Sequence, residues 1–343
     1  MKYFTSLSKP KAWPQNQRTF RPSIHFIIGL SLLFVMMAAT TGLRAQWIQQ
    51  GPGPSKNGQV ENITDQPIVG AINCVTPHPS DANILYIGAV NGGVWRTANA
   101  LASTPVWTFI SGDLSSQSIG ALEFDPTDVT NQTLVMGNGR FSSFGGVGSG
   151  TRGIFRTTTG TGPWTNIDVG GTFANRDVTG IAARGAIIVV ATSSGIFRTT
   201  NTGGIWTQIS GGAGTGLPAG ISFDLVSDPN DNTILYTNAG TSGIYKSTST
   251  GATWNIVSDA AVNADLVGAG NLELAVGNAN NVFLAIVRSS RLTDLYRSGD
   301  GEEPVGLRLI YPPQQKLLPR LEFTRADRGT LTSRLLPIVL MRT

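Results

Sequence analysis

Short apolar runs alternate with Pro- and Asp-rich gaps along the chain, and the alternation repeats. In a first unit AINCV and NILYIGAV flank TPHPSDA, in a second IGALEF and TLVMG flank DPTDVTNQ, and in a later one ISFDLV and TILYT flank SDPNDN. Short runs bounded by turn formers predict pairs of antiparallel strands. Each pair is followed by a segment ending in an aromatic, a cation and a hydroxyl: GVWRT at 93–97, GIFRT at 153–157 and at 195–199, GIYKS at 243–247, DLYRS at 294–298. The aromatic positions 95, 155, 197, 245 and 296 lie 60, 42, 48 and 51 residues apart. After a short gap a Trp opens a fourth segment, at Trp107, Trp164, Trp206 and Trp254; the fifth unit lacks it. Four short strands per unit at this period predict an all-β protein, a β-propeller of four-stranded antiparallel blades. The expected blades span about 69–112, 114–169, 177–211, 216–259 and 264–301.

The turn between the third and fourth strands carries a more specific pattern. Thr199, Asn201, Gly203 and Trp206 follow the spacing S-x-D-x-G-x-x-W; Ser247, Ser249, Gly251 and Trp254 follow it with Ser in the Asp place, and Ser298 and Asp300 begin a further copy. This resembles the Asp-box of the BNR repeats in sialidase-like, sortilin-like and xyloglucanase-like propellers. The resemblance implies that each box is a structural turn whose Trp packs between blades. The chemistry alone leads to the same expectation: a hydroxyl and an amide or carboxylate two residues apart cap local backbone amides, and the Gly permits a left-handed step. The recurrent Arg96, Arg156, Arg198, Lys246 and Arg297 are read as solvated strand cations rather than a ligand cluster.

Composition supports strands over helices, with 42 Gly and only 13 % charged residues among 343. The formal charge of +4 suggests a polyanion partner until it is placed along the chain. Residues 46–301 hold 12 Lys or Arg against 17 Asp or Glu, which excludes nucleic acid as the expected partner. Residues 1–45 read as an export signal, with Lys2, Lys9, Lys11, Arg18 and Arg21 ahead of IHFIIGLSLLFVMMAAT and Ala45 before the cleavage point. The expected location is therefore extracellular or the cell envelope, with membrane contact through the N-terminal segment if it is left uncleaved. Cys74, in the run INCV, is expected to be a buried small hydrophobe.

The repeat breaks after Gly301. The last 42 residues contain two Gly, no Trp and nine Leu, and a box would want Gly at Glu302 and Trp at Val305. The expectation is a shift of reading frame near residue 302, with 302–343 an aberrant tail and the native chain running on through further blades. Trp47 in QWIQQGPGP resembles a closing fourth strand. About four to five blades in an incomplete ring are then expected, and an incomplete ring exposes sheet edges.

Catalytic parts are few. His78 lies in the turn TPHPSD, and Asp81, Asp125, Asp128, Asp228 and Asp231 all lie in first-to-second-strand gaps, so all are expected in turn chemistry. A glycosidase needs two opposed carboxylates, and residues 46–301 have three Glu: Glu61, Glu123 and Glu273. Sialidases carry an Arg-Ile-Pro signature that the mature part lacks. Xyloglucanase-like propellers carry D-I-G-G-A-Y-R, where this chain has Val90-Asn91-Gly92-Gly93-Val94-Trp95-Arg96, with Val90 in the Asp place. No catalytic residue, metal or cofactor is assigned. Candidate ligand contacts sit in loops expected on one face: Asn91, the insertion 138–152 with Arg140, Phe141, Phe144 and Arg152, and the pair Arg288 and Arg291. The reading is a secreted or surface non-catalytic module for a glycan or protein ligand. Its alternative is a glycoside hydrolase whose carboxylates lie in blades absent from this sequence.

Overall fold

The computed structural model describes residues 51, 71–140, 150–278 and 281–299. Five antiparallel sheets follow one another in chain order, as propeller blades. Blade 1 comprises β1 (Ile72–Pro77), β2 (Leu85–Ala89), β3 (Gly93–Thr97) and β4 (Trp107–Phe109). Blade 2 comprises β5 (Ile119–Phe124), β6 (Leu134–Asn138), β7 (Ile154–Thr157) and β8 (Thr165–Asn166). Blade 3 comprises β9 (Val178–Arg184), β10 (Ile187–Thr192), β11 (Gly195–Thr199) and β12 (Thr207–Gln208). Blade 4 comprises β13 (Leu225–Ser227), β14 (Leu235–Asn238), β15 (Ile244–Ser247) and β16 (Asn255–Ile256). Blade 5 has three described strands, β17 (Asn271–Val276), β18 (Val282–Arg288) and β19 (Arg291–Ser298).

Packing between blades joins chain neighbours. The first strands are innermost, β1 against β5, β5 against β9, β9 against β13 and β13 against β17. Among the described elements no comparable packing joins β17 to β1. Each seam is a separate hydrophobic core. Cys74, Tyr86, Val94 and Ile110 of blade 1 meet Leu122, Leu134, Met136, Phe155 and Trp164 of blade 2, and the next seams repeat the scheme. The face of a blade toward its predecessor is called its front below, and the opposite face its back.

One element falls outside the expectation. A helix, α1 (Ala260–Leu266), occupies the start of the expected fifth blade. Asp259 caps it by accepting a hydrogen bond from the Val262 amide at 2.8 Å, and Val262 and Leu266, one turn apart, are buried in the seam between blades 4 and 5. That seam also holds a cavity of about 30 Å³ lined by Ile244, Val257, Val262 and Leu284.

The turn after the third strand in blades 1, 3 and 4 has the hydrogen bonds that its residue pattern demands. Thr199 Oγ1 accepts from the amides of Asn201 (3.3 Å) and Gly203 (3.1 Å), and Asn201 Oδ1 accepts from the Ile205 amide (2.9 Å). Ser247 Oγ accepts from Ser249 (3.2 Å) and Gly251 (2.9 Å), and Ser249 Oγ from Thr253 (2.9 Å). Blade 1 does the same with residues that the spacing did not single out: Thr97 Oγ1 accepts from the Asn99 amide, and Asn99 Oδ1 from Val106. The Gly of the turn serves two needs. Gly203 has φ +86°, and a Cβ there would lie 2.0 Å from the Ile167 carbonyl oxygen of the preceding blade. Ser298 ends β19, and Asp300 and the rest of that expected turn lie outside the described residues.

The Trp residues wedge the seams. Trp164 Nε1 donates to the Ile110 carbonyl (2.8 Å) and Trp206 Nε1 to the Ile167 carbonyl (3.1 Å), each reaching back to the residue that follows the preceding blade's fourth strand. Trp254 is 2 % exposed and donates instead within its own turn, to Gly251. Its backbone amide bonds the Thr215 carbonyl at 2.8 Å.

The strand cations differ from the expectation of solvated side chains. Arg96, Arg156, Arg198 and Lys246 are half-buried, and Arg297 is exposed. For four of the five the contact goes with the residue opposite on the second strand; Arg156, opposite Val135, has a buried Nε without a hydrogen-bond partner. Where that residue is aromatic the cation lies over its ring, at 5.8 Å for Arg96 on Tyr86, Lys246 on Tyr236 and Arg297 on Phe283. Where it is Val, as at Val189 opposite Arg198, no ring is available. Arg198 Nε then donates to the Thr250 carbonyl in the next blade's turn (3.0 Å), and desolvation lowers its pKa. Arg96 reaches the equivalent turn through a relay, Arg96 Nε to Tyr86 OH and Tyr86 OH to the Gly160 carbonyl.

Candidate functional site

Antiparallel topology places every second-to-third-strand turn and every link between blades on one face. That face is stitched together. The Ser118 hydroxyl, on the link into blade 2, donates to Asn91 Oδ1 at 2.6 Å, and Asn91 itself turns the chain at φ +59°. Asn138 Nδ2 and the Gly139 amide both bond the Ser118 carbonyl, and Ser222 on the link into blade 4 bonds the Thr192 carbonyl at 3.0 Å. Asn91 is thus part of the seam between loop and link.

Two of the candidate arginines are held by acids. The Arg140 amide donates to Asp177 Oδ1 (2.8 Å), and its Nε lies 3.8 Å from the same oxygen. Arg288 Nη1 donates to Asp294 Oδ2 at 3.2 Å. The Arg140 and Arg288 side chains keep 30 % and 28 % of their surface exposed, and the Nε of each has no hydrogen-bond partner. The Arg152 side chain is exposed, its amide bonded to Asn138 Oδ1. Phe141 and Phe144 lie outside the described residues.

The hairpin between β18 and β19 is the most distinctive part of the face. Its two turn residues, Ser289 and Ser290, have φ +48° and +60°, the type I′ pattern normally met by Asn or Gly. Arg288 and Arg291 are cross-strand partners directly beside that turn. Their pairing was not readable from a spacing of three in sequence, and neither were the ion pairs of Arg140 and Arg288: Asp177 lies 37 residues from Arg140.

The carboxylates have other uses. Asp81, Asp125, Asp128, Asp228 and Asp231 each accept a backbone amide two residues on, at 2.8–2.9 Å. His78 Nδ1 accepts the Asp81 amide (3.1 Å), with its ring edge-on to Phe124. Asp168 binds the amides of Thr172 and Phe173, though burial still raises its pKa. Glu123 lies at the opposite end of the innermost strands, where it bridges three blades. It pairs with Arg184 of β9 at 3.6 Å and accepts from Ser227 of β13 at 2.8 Å. Desolvation raises its pKa and Arg184 opposes the rise. No cluster of three or more metal-ligating side chains occurs among the described residues.

No family model matches the chain, and no curated protein does. Solved structures align with it over part of their own length. A GH74 xyloglucanase from Xanthomonas campestris shares 14 % identity over 74 % of this chain and 38 % of its own, with a TM-score of 0.48. A GH74 enzyme from Niastella koreensis shares 20 % over 68 % and 36 %, with a TM-score of 0.47. The extracellular domain of a hybrid two-component system from B. thetaiotaomicron shares 13 % over 76 % and 29 %, with a TM-score of 0.45. The chain spans well under half the length of each.

Proposed function

We propose that the blades form an exported, non-catalytic interaction module that takes a glycan or protein ligand on the face of the second-to-third-strand loops. The observation that supports this most is the β18–β19 hairpin tip. Two like charges directly opposite each other lower the stability of a hairpin, and so do two non-glycine residues in the left-handed region. Arg288 and Arg291 flank Ser289 and Ser290 in that arrangement. Features that lower stability without any packing gain are concentrated where a chain meets a ligand. A guanidinium anchored on one side by a carboxylate keeps further N–H donors for oxygen-rich groups, which is the condition of Arg288 and Arg140. The turn carboxylates support the non-catalytic part, since each is engaged by backbone amides.

The test is a glycan array and a pull-down from secreted material, run beside a polysaccharide hydrolysis screen. Arg291 is exposed and faces Arg288, so Arg291→Glu is expected to weaken binding by about tenfold or more while the melt stays level or rises slightly, an opposite-charge pair replacing a like-charge one. Turnover that disappears on substituting a carboxylate would defeat the non-catalytic reading. Binding indifferent to Arg291, Arg152 and Arg140 would defeat the choice of face.

A further inference from the structure

Blades 3 and 5 both turn from second to third strand through two serines, and the two tips differ. In blade 3, Ser193 and Ser194 stand between the cross-strand partners Thr192 and Gly195. Neither serine is left-handed, and Thr192 Oγ1 accepts the Ser194 amide at 3.1 Å. In blade 5 the partners are Arg288 and Arg291, and Ser289 and Ser290 are both left-handed. A Ser-Ser tip therefore does not by itself impose the blade 5 conformation; its flanks are what set it apart. Cross-strand partners stand on the same face with Cα atoms about 4.5–5.5 Å apart, so one small group can meet both guanidinia.

A bulge completes the arrangement. The register shifts between Ile286 and Val287, so that Leu292 stands opposite Val287 and Asp294 opposite Ile286, with Thr293 between them unpaired. Without that shift Thr293 would oppose Ile286 and Asp294 would turn to the other face of the hairpin. With it, Asp294 shares the face of the two arginines, where its Oδ2 accepts from Arg288 Nη1 at 3.2 Å. Thr293 Oγ1 donates to the Ile286 carbonyl at 3.1 Å and holds the bulge. One carboxylate thus faces two guanidinia, which leaves the tip one positive charge in excess. Arg288 is engaged through Nη1 while its Nε bonds nothing, so its guanidinium keeps donors beyond the ion pair.

We propose that Arg288 and Arg291 together grip an oxyanion, a carboxylate or sulfate ester carried singly on an otherwise neutral glycan. This rests on the reading that this face meets the ligand, and it adds which chemical group the hairpin recognises. An oxyanion between the guanidinia turns their mutual repulsion into two attractions, which a neutral sugar hydroxyl does not. A guanidinium fork also matches the paired oxygens of carboxylate and sulfate. The Ser289 and Ser290 side chains are exposed beside the pair, where their hydroxyls can meet neighbouring sugar hydroxyls. The charge of the blades argues for an isolated anionic group. Residues 46–301 hold 12 Lys or Arg against 17 Asp or Glu, so a densely acidic protein or polymer is repelled beyond this tip.

The test uses the full chain and probes paired so that they differ only in charge: an oligouronate and its methyl ester, and a sulfated oligosaccharide and its desulfated form. In calorimetry at least one charged probe should bind about tenfold or more tightly than its neutral partner, with the preference shrinking as salt rises. The pair that shows the preference tells carboxylate from sulfate. Arg291→Gln should bring the ratio close to unity. Arg288→Lys keeps a cation for Asp294 but loses the fork, and should narrow the ratio with the fold intact by circular dichroism. Wild type that binds neither charged probe better than its neutral partner overturns the proposal, as does a preference that survives Arg291→Gln. If Arg291→Gln weakens charged and neutral probes alike, the oxyanion is wrong and the choice of face stands. A glutamate-rich peptide that binds through Arg291 where no oligosaccharide does overturns the glycan in favour of a protein ligand.

Discussion

The closeness of the blades can be measured with a glycine series. Gly203 combines φ +86° with a Cβ position 2.0 Å from the Ile167 carbonyl oxygen and 2.9 Å from Ile167 Cβ. Gly214 has φ +76° with nothing within 4 Å, and Gly170 has open space and an ordinary φ. The three alanine variants therefore separate two costs. Gly170→Ala carries neither, and restricting the unfolded chain makes it neutral to stabilising by up to about 1 kcal/mol. Gly214→Ala carries only the left-handed backbone, about 1–2 kcal/mol. Gly203→Ala adds an overpacking term of about 1–3 kcal/mol, because a carbonyl in a neighbouring blade cannot yield as a side-chain tip can. The expected order is a loss of roughly 2–5 kcal/mol at Gly203 against about 1–2 at Gly214. Urea unfolding followed by Trp fluorescence reads the difference, with seam-specific changes expected near Trp206, whose indole bonds the same Ile167 carbonyl. If Gly203→Ala costs no more than Gly214→Ala, the seam is looser than described and the turn Gly serves only its own backbone.

Other substitutions test neighbouring parts of the argument. Trp254→Ala should cost about 3–5 kcal/mol by opening the seam between blades 3 and 4; a loss under 1 kcal/mol would deny it the role of wedge. Tyr86→Phe removes both steps of the Arg96–Tyr86–Gly160 relay and should cost about 1–2 kcal/mol, measured by the urea midpoint; an unchanged midpoint would show that the relay contributes nothing. Asp128 accepts from the Thr130 hydroxyl and from the amides of Thr130, Gln132 and Thr133, and these bonds, the Thr130 hydroxyl first, hold its pKa well below 3.8. Because the folded form holds the proton less tightly, the contribution of Asp128 is present above 3.8 and is lost as pH falls below it. The acid limb of a stability–pH curve should therefore be flatter in Asp128→Asn than in wild type; parallel limbs would refute the assignment.

Much of this fold is legible in the sequence because each blade is built from local hairpins. The aromatic-cation-hydroxyl triplet marks the third strand in every repeat, and the turn after it has its own chemistry. What the triplet could not convey is the environment of its cation, which depends on a residue one strand earlier. Tyr86, Tyr236 and Phe283 were visible as aromatic positions in second strands, and their opposition to Arg96, Lys246 and Arg297 required the register. Helix α1 escaped notice because two apolar positions, Val262 and Leu266, are too few for a period; its one legible sign was the cap Asp259. On the candidate face, Arg288 and Arg291 were identifiable as residues but not as cross-strand partners. Asp177 and Asp294, which anchor the arginines, gave no signal, because Asp177 meets Arg140 only through the completed sheets and Asp294 meets Arg288 only through the register of the β18–β19 hairpin.

The reach of the tryptophans also sets an order in time. Trp164 and Trp206 each bond a carbonyl belonging to the blade before their own, at Ile110 and Ile167. A ribosome delivers the preceding blade first, and that blade's back stays wet until the next fourth strand, the last piece of its own repeat, emerges to lock it. Through blades 2 and 3, assembly during synthesis should thus advance one blade behind translation, Trp164 and then Trp206 acting as a latch on finished work. A stall within a repeat would leave a single unlatched sheet for chaperones to cover, whatever the length already made.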